Sequence, residues 1–156
     1  MLNGFYVAQV RIQPSFTQLR RDDPAKPSPS GIDVAVELLD QFGDPIKAVG
    51  KFRFEIFRYQ GAFNDVRGRR FEQNGIQEID LTSADLNNKH WDRITRNYRF
   101  HLNVPELQTQ QGRIVLQVTF TREHYRMQDS LVINRTAPKP TNKPDCTADD
   151  GIIKDL

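Results

Sequence analysis

The side chains best suited to binding chemistry in this sequence are arginines, which gather in two short segments. Arg67, Arg69 and Arg70 crowd a segment that contains a glycine, and three more surround Tyr98: Arg93, Arg96 and Arg99. Guanidinium groups beside an aromatic ring bind anionic or sugar-like ligands through bidentate hydrogen bonds and stacking. The alternative is a solvated surface on which these arginines pair with Asp65, Glu72 and Asp92.

Arg96 is the arginine that fits a solvated surface least well. On a strand that begins near residue 94, it shares a face with the apolar side chains of Ile94, Tyr98 and Phe100. Such an arginine must reach the end of the sheet or meet a buried carboxylate. We predict a structural ion pair for Arg96 at the rim of the core.

Aromatic residues outside the regular strands are the second group of candidates. Trp91, Tyr125 and Phe63 fall in predicted loops or at element ends. Exposed rings there either stack on sugars and anchor a partner, or cap the open end of a sheet sandwich. The predicted ligand or partner surface therefore comprises Arg67, Arg69, Arg70, Trp91, Arg93, Arg96, Tyr98 and Tyr125.

Residues for catalysis or metal binding form no recognisable motif. His90, His101 and His124 lie far apart, and none belongs to a two-histidine metal spacing. There is no GxSxG element and no glycine-rich phosphate loop. We predict no catalytic residue, no metal site and no cofactor, and we interpret the protein as a non-enzyme.

Composition excludes several classes of partner. The chain has 156 residues, a net charge of +2 and a single cysteine, Cys146, so it has no internal disulfide. No segment is strongly basic, which argues against nucleic acid as a partner. No apolar run reaches the roughly 18 residues that a membrane span needs.

The strongest structural pattern runs from Ile32 to Tyr59. Apolar residues alternate with polar ones on both sides of a turn-rich break, residues 40–45. Period-two alternation around a Gly/Asp/Pro turn is typical of half-buried antiparallel strands. It predicts strands at about 32–40 and 47–59.

The segment VAVELLDQFGDPIKAVGKFRFEIF, from Val34 to Phe57, resembles bacterial immunoglobulin-like modules. In those, an apolar strand ends in Asp, a Gly-Asp/Asn-Pro turn follows, and a second strand carries alternating aromatics. The paired cysteines of antibody-type domains are absent here, and Trp91 lies outside the expected core strand. The resemblance implies a sandwich and a cell-envelope or extracellular setting, and it transfers no functional residue.

Further strands are predicted at about 4–13, 94–104, 113–122 and 128–134, with a tight turn at Asn74-Gly75 before a strand at 76–81. The first should place Tyr6, Ala8, Val10 and Ile12 on one face. Residues 60–70 have no clean period and are interpreted as a loop. Thr82 to Trp91 is the one helical candidate, with a capping box from Thr82 to Asp85.

These elements predict an all-β fold: an antiparallel, immunoglobulin-like β-sandwich of about seven to eight strands with at most one short helix. A closed barrel is the alternative. Residues 1–135 are predicted to form one domain. Residues 136–156, with three prolines and no periodicity, are predicted to be a disordered tail.

Two classes of function follow. The first is a non-catalytic binding or structural module of a cell envelope or larger assembly, with loops 60–75 and 105–112 or a strand edge as its contact surface. The second is a carbohydrate- or small-anion-binding domain that uses the arginines and aromatics. The expected partner is another protein or a cell-surface glycan. An upstream signal peptide would make the protein periplasmic or cell-surface, and a tethered lipoprotein if that peptide ended in a lipid-modified cysteine. A native Met1 would make it cytoplasmic.

Overall fold

Two antiparallel sheets of five strands each build the part of the chain that the computed structural model describes, residues 4–134. Sheet A contains β1 (Gln9–Ile12), β2 (Gln18–Arg20), β3 (Gly31–Leu39), β7 (Trp91–Asp92) and β8 (Asn97–Asn103). Sheet B contains β4 (Lys51–Tyr59), β5 (Arg67–Arg70), β6 (Ile76–Asp80), β9 (Ile114–Arg122) and β10 (Tyr125–Ile133). The predicted all-β sandwich is confirmed, and its immunoglobulin-like type stays a prediction. The predicted tail and Cys146 lie outside the described residues.

Strand order follows from a few long pairings. In sheet A the order is β1–β3–β8–β7. Strands β1 and β2 share one edge of β3, where β1 pairs with residues 36–39 and β2 pairs with residues 31–33. In sheet B the order is β10–β9–β4, and β5 and β6 both pair with β4. The long strands β3, β4 and β9 therefore make most of the pairings that fix the register of the two sheets.

An aromatic cluster fills the space between the sheets. The alternating residues of β4 point inward as predicted, and the ring of Phe52 lies 5.0 to 5.5 Å from the rings of Phe120, Phe100 and Tyr98. All four side chains are fully buried. Tilted ring pairs at these distances add to the stabilisation from apolar burial.

The single α-helix of the described residues, α1 (Ala84–His90), is held by a buried polar network. Its N-cap is Ser83, whose Oγ accepts a hydrogen bond from Leu86 N, and not Thr82 as predicted. Asn87 Nδ2 donates to the carbonyl oxygens of Ala48 and Leu81, and its Oδ1 accepts from the Tyr98 hydroxyl at 2.8 Å. The network ties the helix to β8 and to the approach to β4.

Three predicted elements differ from the structure, each for a local reason. The first strand begins only at Gln9, so Tyr6 and Ala8 are exposed and do not share the buried face of Val10. Residues 93–96 form a turn before β8, and Arg96 adopts a φ of 55°. The predicted loop at 60–70 contains β5, which has no apolar alternation because its arginines lie on the sheet surface.

Asn74 and Gly75 form the predicted turn before β6. Asn74 adopts a φ of 57°, a left-handed conformation that asparagine tolerates better than most residues. A Cβ atom at Gly75 would lie 2.0 Å from the carbonyl oxygen of Phe71, so only glycine fits there.

Three segments meet at one end of the sandwich. The connection 40–50 leaves β3 at Leu39 and enters β4 at Lys51, and Gln9 lies opposite Leu39. Thr121 lies opposite Lys51, so the turn between β9 and β10 is at the same end. Segment 4–8, connection 40–50 and turn 122–125 therefore lie close together, and we call this the aromatic end.

Among the described residues, no helix has the length and apolar character that a membrane crossing requires.

Candidate functional site

The residues predicted to form a ligand surface lie in separate places. Arg67, Arg69 and Arg70 are on β5 in sheet B, whereas Trp91, Arg93 and Arg96 lie in β7 and the following turn at the edge of sheet A. Tyr125 begins β10 at the aromatic end. The rings and guanidinium groups that the prediction grouped together therefore do not converge on one concave patch.

The arginines of β5 are paired with carboxylates. Arg67 makes two hydrogen bonds to Asp65, from Nε at 3.0 Å and from Nη2 at 2.9 Å. Arg70 lies 3.0 Å from Glu55, and Arg69 pairs with Glu72. The side-chain and backbone hydrogen bonds from Arg67 lower the pKa of Asp65 to about 2. Paired charges of this kind leave little net attraction for an anion.

The residues around Trp91 serve the packing of sheet A. Tyr98 is fully buried in the core and is not available to a ligand, because its strand position faces sheet B. Trp91 meets the Tyr98 ring edge-on at 5.0 Å, and Lys47 Nζ lies 5.6 Å from the centre of the Trp91 ring. Arg96 donates to the carbonyl oxygen of Pro45 at 3.0 Å and pairs with no carboxylate of residues 4–134, so the predicted ion pair is not found in that part of the chain.

A concave, largely apolar cleft lies at the aromatic end. It has a volume of about 490 Å³, and segment 4–7 forms one wall. Strands β9 and β10 and the turn between them form the other wall with the residues Phe120, Arg122, Glu123, Tyr125 and Met127. We call this the end cleft. Ligand sites in proteins are mostly concave and apolar with a few polar groups, and the end cleft fits that description.

The aromatic rings around the end cleft are exposed to an unusual degree. The exposed fractions are 71% for Phe5, 59% for Tyr6, 72% for Phe42 and 66% for Tyr125. Phe5 and Phe42 contact each other edge-to-face, with centroids 6.1 Å apart. Isolated exposed apolar residues are ordinary, but a cluster of large rings beside a cavity is typical of a contact surface.

The turn after β3 positions this surface. Asp40 is buried, and its Oδ1 accepts hydrogen bonds from the backbone N–H groups of Phe42 and Asp44. Gly43 adopts a φ of 85°. Gln41 binds segment 4–7 through its amide, which accepts from Tyr6 N and donates to Gly4 O. The turn thus presents Phe42 to solvent and fixes the cleft wall.

Sequence reasoning identified only Tyr125 among these rings. The sequence predicts a regular strand for Phe5 and Tyr6, and it predicts only a turn at residues 40–45. The available signal was Phe42 itself, because an aromatic residue in an otherwise polar Gly/Asp/Pro turn has no core to enter.

A second cluster of charges lies on the outer face of sheet A. Asp33 Oδ1 accepts from Arg20 Nη1 at 2.8 Å and contacts His101 Nδ1 at 2.6 Å. Arg20 also binds Asp22 and Asn103. Burial raises the pKa of the Asp33 carboxyl, but the hydrogen bonds from His101 and Arg20 outweigh burial and hold the pKa below its ordinary value.

Stability should therefore fall in acid. A carboxyl whose folded-state pKa is depressed stabilises the fold above its unfolded value of 3.8, and this stabilisation is lost as the pH falls through the folded-state pKa. We expect the melting temperature of Asp33→Asn to decline less steeply than wild type below about pH 4. The control is Asp44→Asn, which removes a carboxylate without a side-chain hydrogen bond in the described residues. Equal acid slopes for wild type and Asp33→Asn would contradict this assignment.

No metal-binding constellation of three or more His, Cys, Asp or Glu side chains occurs within residues 4–134. His90 Nδ1 lies 2.9 Å from the carbonyl oxygen of Arg99, and His101 contacts Asp33. His101 is largely exposed, because it lies at an outward-facing position of β8. These histidines thus make structural contacts in sheet A.

Comparison of the chain with protein-family models, with curated proteins and with solved structures gives no match.

Proposed function

We propose that this β-sandwich is a non-catalytic binding module whose contact surface is the end cleft. The observation that supports this most strongly is that the exposed rings of Phe5, Tyr6 and Tyr125 line a cavity of about 490 Å³. The exposed ring of Phe42 packs against Phe5 beside it. Exposed rings of this size carry much of the binding energy in protein interfaces, because they bury large areas at little entropic cost. The cell-envelope or assembly setting of the module rests on the sequence resemblance alone.

The occupant we propose is an extended segment of another protein that carries apolar side chains. The cavity falls in the 300 to 1,000 Å³ range of ligand sites, and its lining is mainly aromatic and aliphatic. Arg122 and Glu123 add one positive and one negative group to the lining. A neutral peptide backbone with apolar side chains suits such a site better than a strongly charged ligand does.

Selection from a random peptide library displayed on phage tests the proposal. Enriched peptides should contain at least two large apolar residues. Tyr125→Ala and Phe42→Ala should each weaken binding of a selected peptide by about tenfold, because each removes a large exposed contact ring. Affinity is measured by isothermal titration calorimetry with the purified domain.

The matched control is Phe63→Ala. Phe63 is 65% exposed, as the cleft rings are, but it lies in the loop between β4 and β5. Its removal should leave peptide affinity unchanged. A library that yields no enriched peptide, or peptides bound equally well by Tyr125→Ala, would refute the proposed function.

A further inference from the structure

The outer face of sheet B is organised in rows that cross three strands. Phe57, Val115 and Val132 lie opposite one another in register and form an apolar row. The next row is polar and contains Glu55, Gln117 and Ser130, and the row after it contains Arg53, Thr119 and Gln128. An apolar strip thus lies directly beside a polar strip on a rigid sheet.

Gln117 is polar and faces outward, but it is only 6% exposed. Arg67 covers it: the guanidinium reaches from β5 across β4, passes 5.7 Å from the centre of the Phe57 ring, and donates to Gln117 Oε1 at 2.6 Å. Gln60 holds the segment before Arg67 by donating to the carbonyl oxygens of Asp65 and Arg67. The position of Arg67 is therefore fixed before any ligand arrives.

A recess of about 360 Å³ opens beside this contact, lined by Arg67, Gln117, Gln128, Asp129 and Ser130. We call it the sheet B recess. Several of its polar groups have no hydrogen-bond partner within residues 4–134: Gln117 Nε2, Gln128 Oε1 and Ser130 Oγ. Asp129 is already engaged, because its carboxylate accepts from Ile12 N. The recess thus offers hydrogen-bond donors and acceptors on side chains of regular strands.

We infer that the sheet B recess binds a neutral oligosaccharide. Vicinal hydroxyls need adjacent donors and acceptors, which the free amide and hydroxyl groups supply. The C–H face of a sugar ring can lie against Val132, which is 37% exposed, and against the partly exposed ring of Phe57 in the neighbouring apolar row.

A small anion fits the recess less well than a neutral sugar. The charge of Arg67 is balanced by its two hydrogen bonds to Asp65. No further basic side chain lines the recess within the described residues. An anion would therefore meet acceptor oxygens without a compensating unpaired cation.

This site is independent of the end cleft, and the test separates the two. The probes are neutral hexasaccharides of glucose, xylose, mannose, galactose and N-acetylglucosamine, with sulfated and uronic acid oligosaccharides for comparison. Binding is measured by glycan array and calorimetry. The double variant Gln128→Ala/Ser130→Ala changes two exposed side chains, and its circular dichroism spectrum and melting temperature establish that it folds.

We expect at least one neutral hexasaccharide to bind, and the double variant to weaken that binding about tenfold or more because two hydrogen-bonding groups are lost. Tyr125→Ala, which alters the end cleft, should bind the same sugar with unchanged affinity. The inference is overturned if no neutral sugar binds, if only anionic oligosaccharides bind, or if the double variant retains full affinity.

Discussion

Replacement of Phe52 by alanine lowers the free energy of unfolding by about 3–5 kcal/mol. The ring lies at the centre of the core, within 5.5 Å of the rings of Tyr98, Phe100 and Phe120, and it is fully buried. Its removal loses the free energy of transferring the ring out of water, and it adds the free-energy cost of a cavity between two rigid sheets. Urea unfolding followed by circular dichroism measures the change.

The control for Phe52 is an exposed phenylalanine. Phe42→Ala should change stability by no more than about 0.5 kcal/mol, because its ring is 72% exposed. This comparison separates rings that hold the fold from rings that are free to bind. A Phe52→Ala loss below about 1.5 kcal/mol would contradict the packing described for the core.

Replacement of Asn87 by alanine costs about 2–3 kcal/mol. The change leaves the carbonyl oxygens of Ala48 and Leu81 without their side-chain donor in a buried site. The Tyr98 hydroxyl loses its acceptor at 2.8 Å but can turn to Ala48 O at 3.2 Å, which limits the loss.

A double-mutant cycle with Tyr98→Phe tests whether the network acts as a unit. Tyr98→Phe alone leaves the Ala48 N–H and Asn87 Oδ1 without a partner. The double variant should therefore be more stable than the sum of the two single losses predicts, with a coupling of about 1 kcal/mol. If the two losses in the free energy of unfolding simply add, the hydrogen bond between Asn87 and Tyr98 contributes nothing to stability.

The sandwich could be predicted from the sequence because its central strands obey simple periodicity. Ile32, Val34, Val36 and Leu38 face the core, and their outward neighbours lie on a surface partly covered by other elements. The edges were harder to predict. Strand β5 is a run of arginines with a glycine, and it pairs with β4 without the apolar alternation that a sequence pattern can detect.

The end cleft could not be predicted for a different reason. Its rings come from segments that are remote in sequence, and only the register of β1, β3, β4 and β9 brings them to one end. Tyr98 cannot form part of an exposed ligand surface, because its side chain faces the core. The alternative interpretation, in which the arginines pair with nearby carboxylates, names two of the partners found on β5: Asp65 for Arg67 and Glu72 for Arg69. It does not name Glu55, the partner of Arg70, because Glu55 lies on the neighbouring strand.

The two sheet faces and the aromatic end now have distinct properties. On the outer faces, charged side chains are largely paired, as in the contacts of Asp33 and Glu55. At the aromatic end, large rings stay in solvent although the core is well filled. Because exposed rings contribute little to folding stability, their clustering is the feature on which the proposed binding function rests.

The most direct test of this account is an NMR titration of the ¹⁵N-labelled domain with a peptide selected from the random library. The account predicts amide shift changes confined to segment 4–8, turn 40–45 and residues 120–127, with no change in β5 or in the loop that contains Phe63. Shift changes that map to the outer face of either sheet and leave the end cleft undisturbed would contradict it.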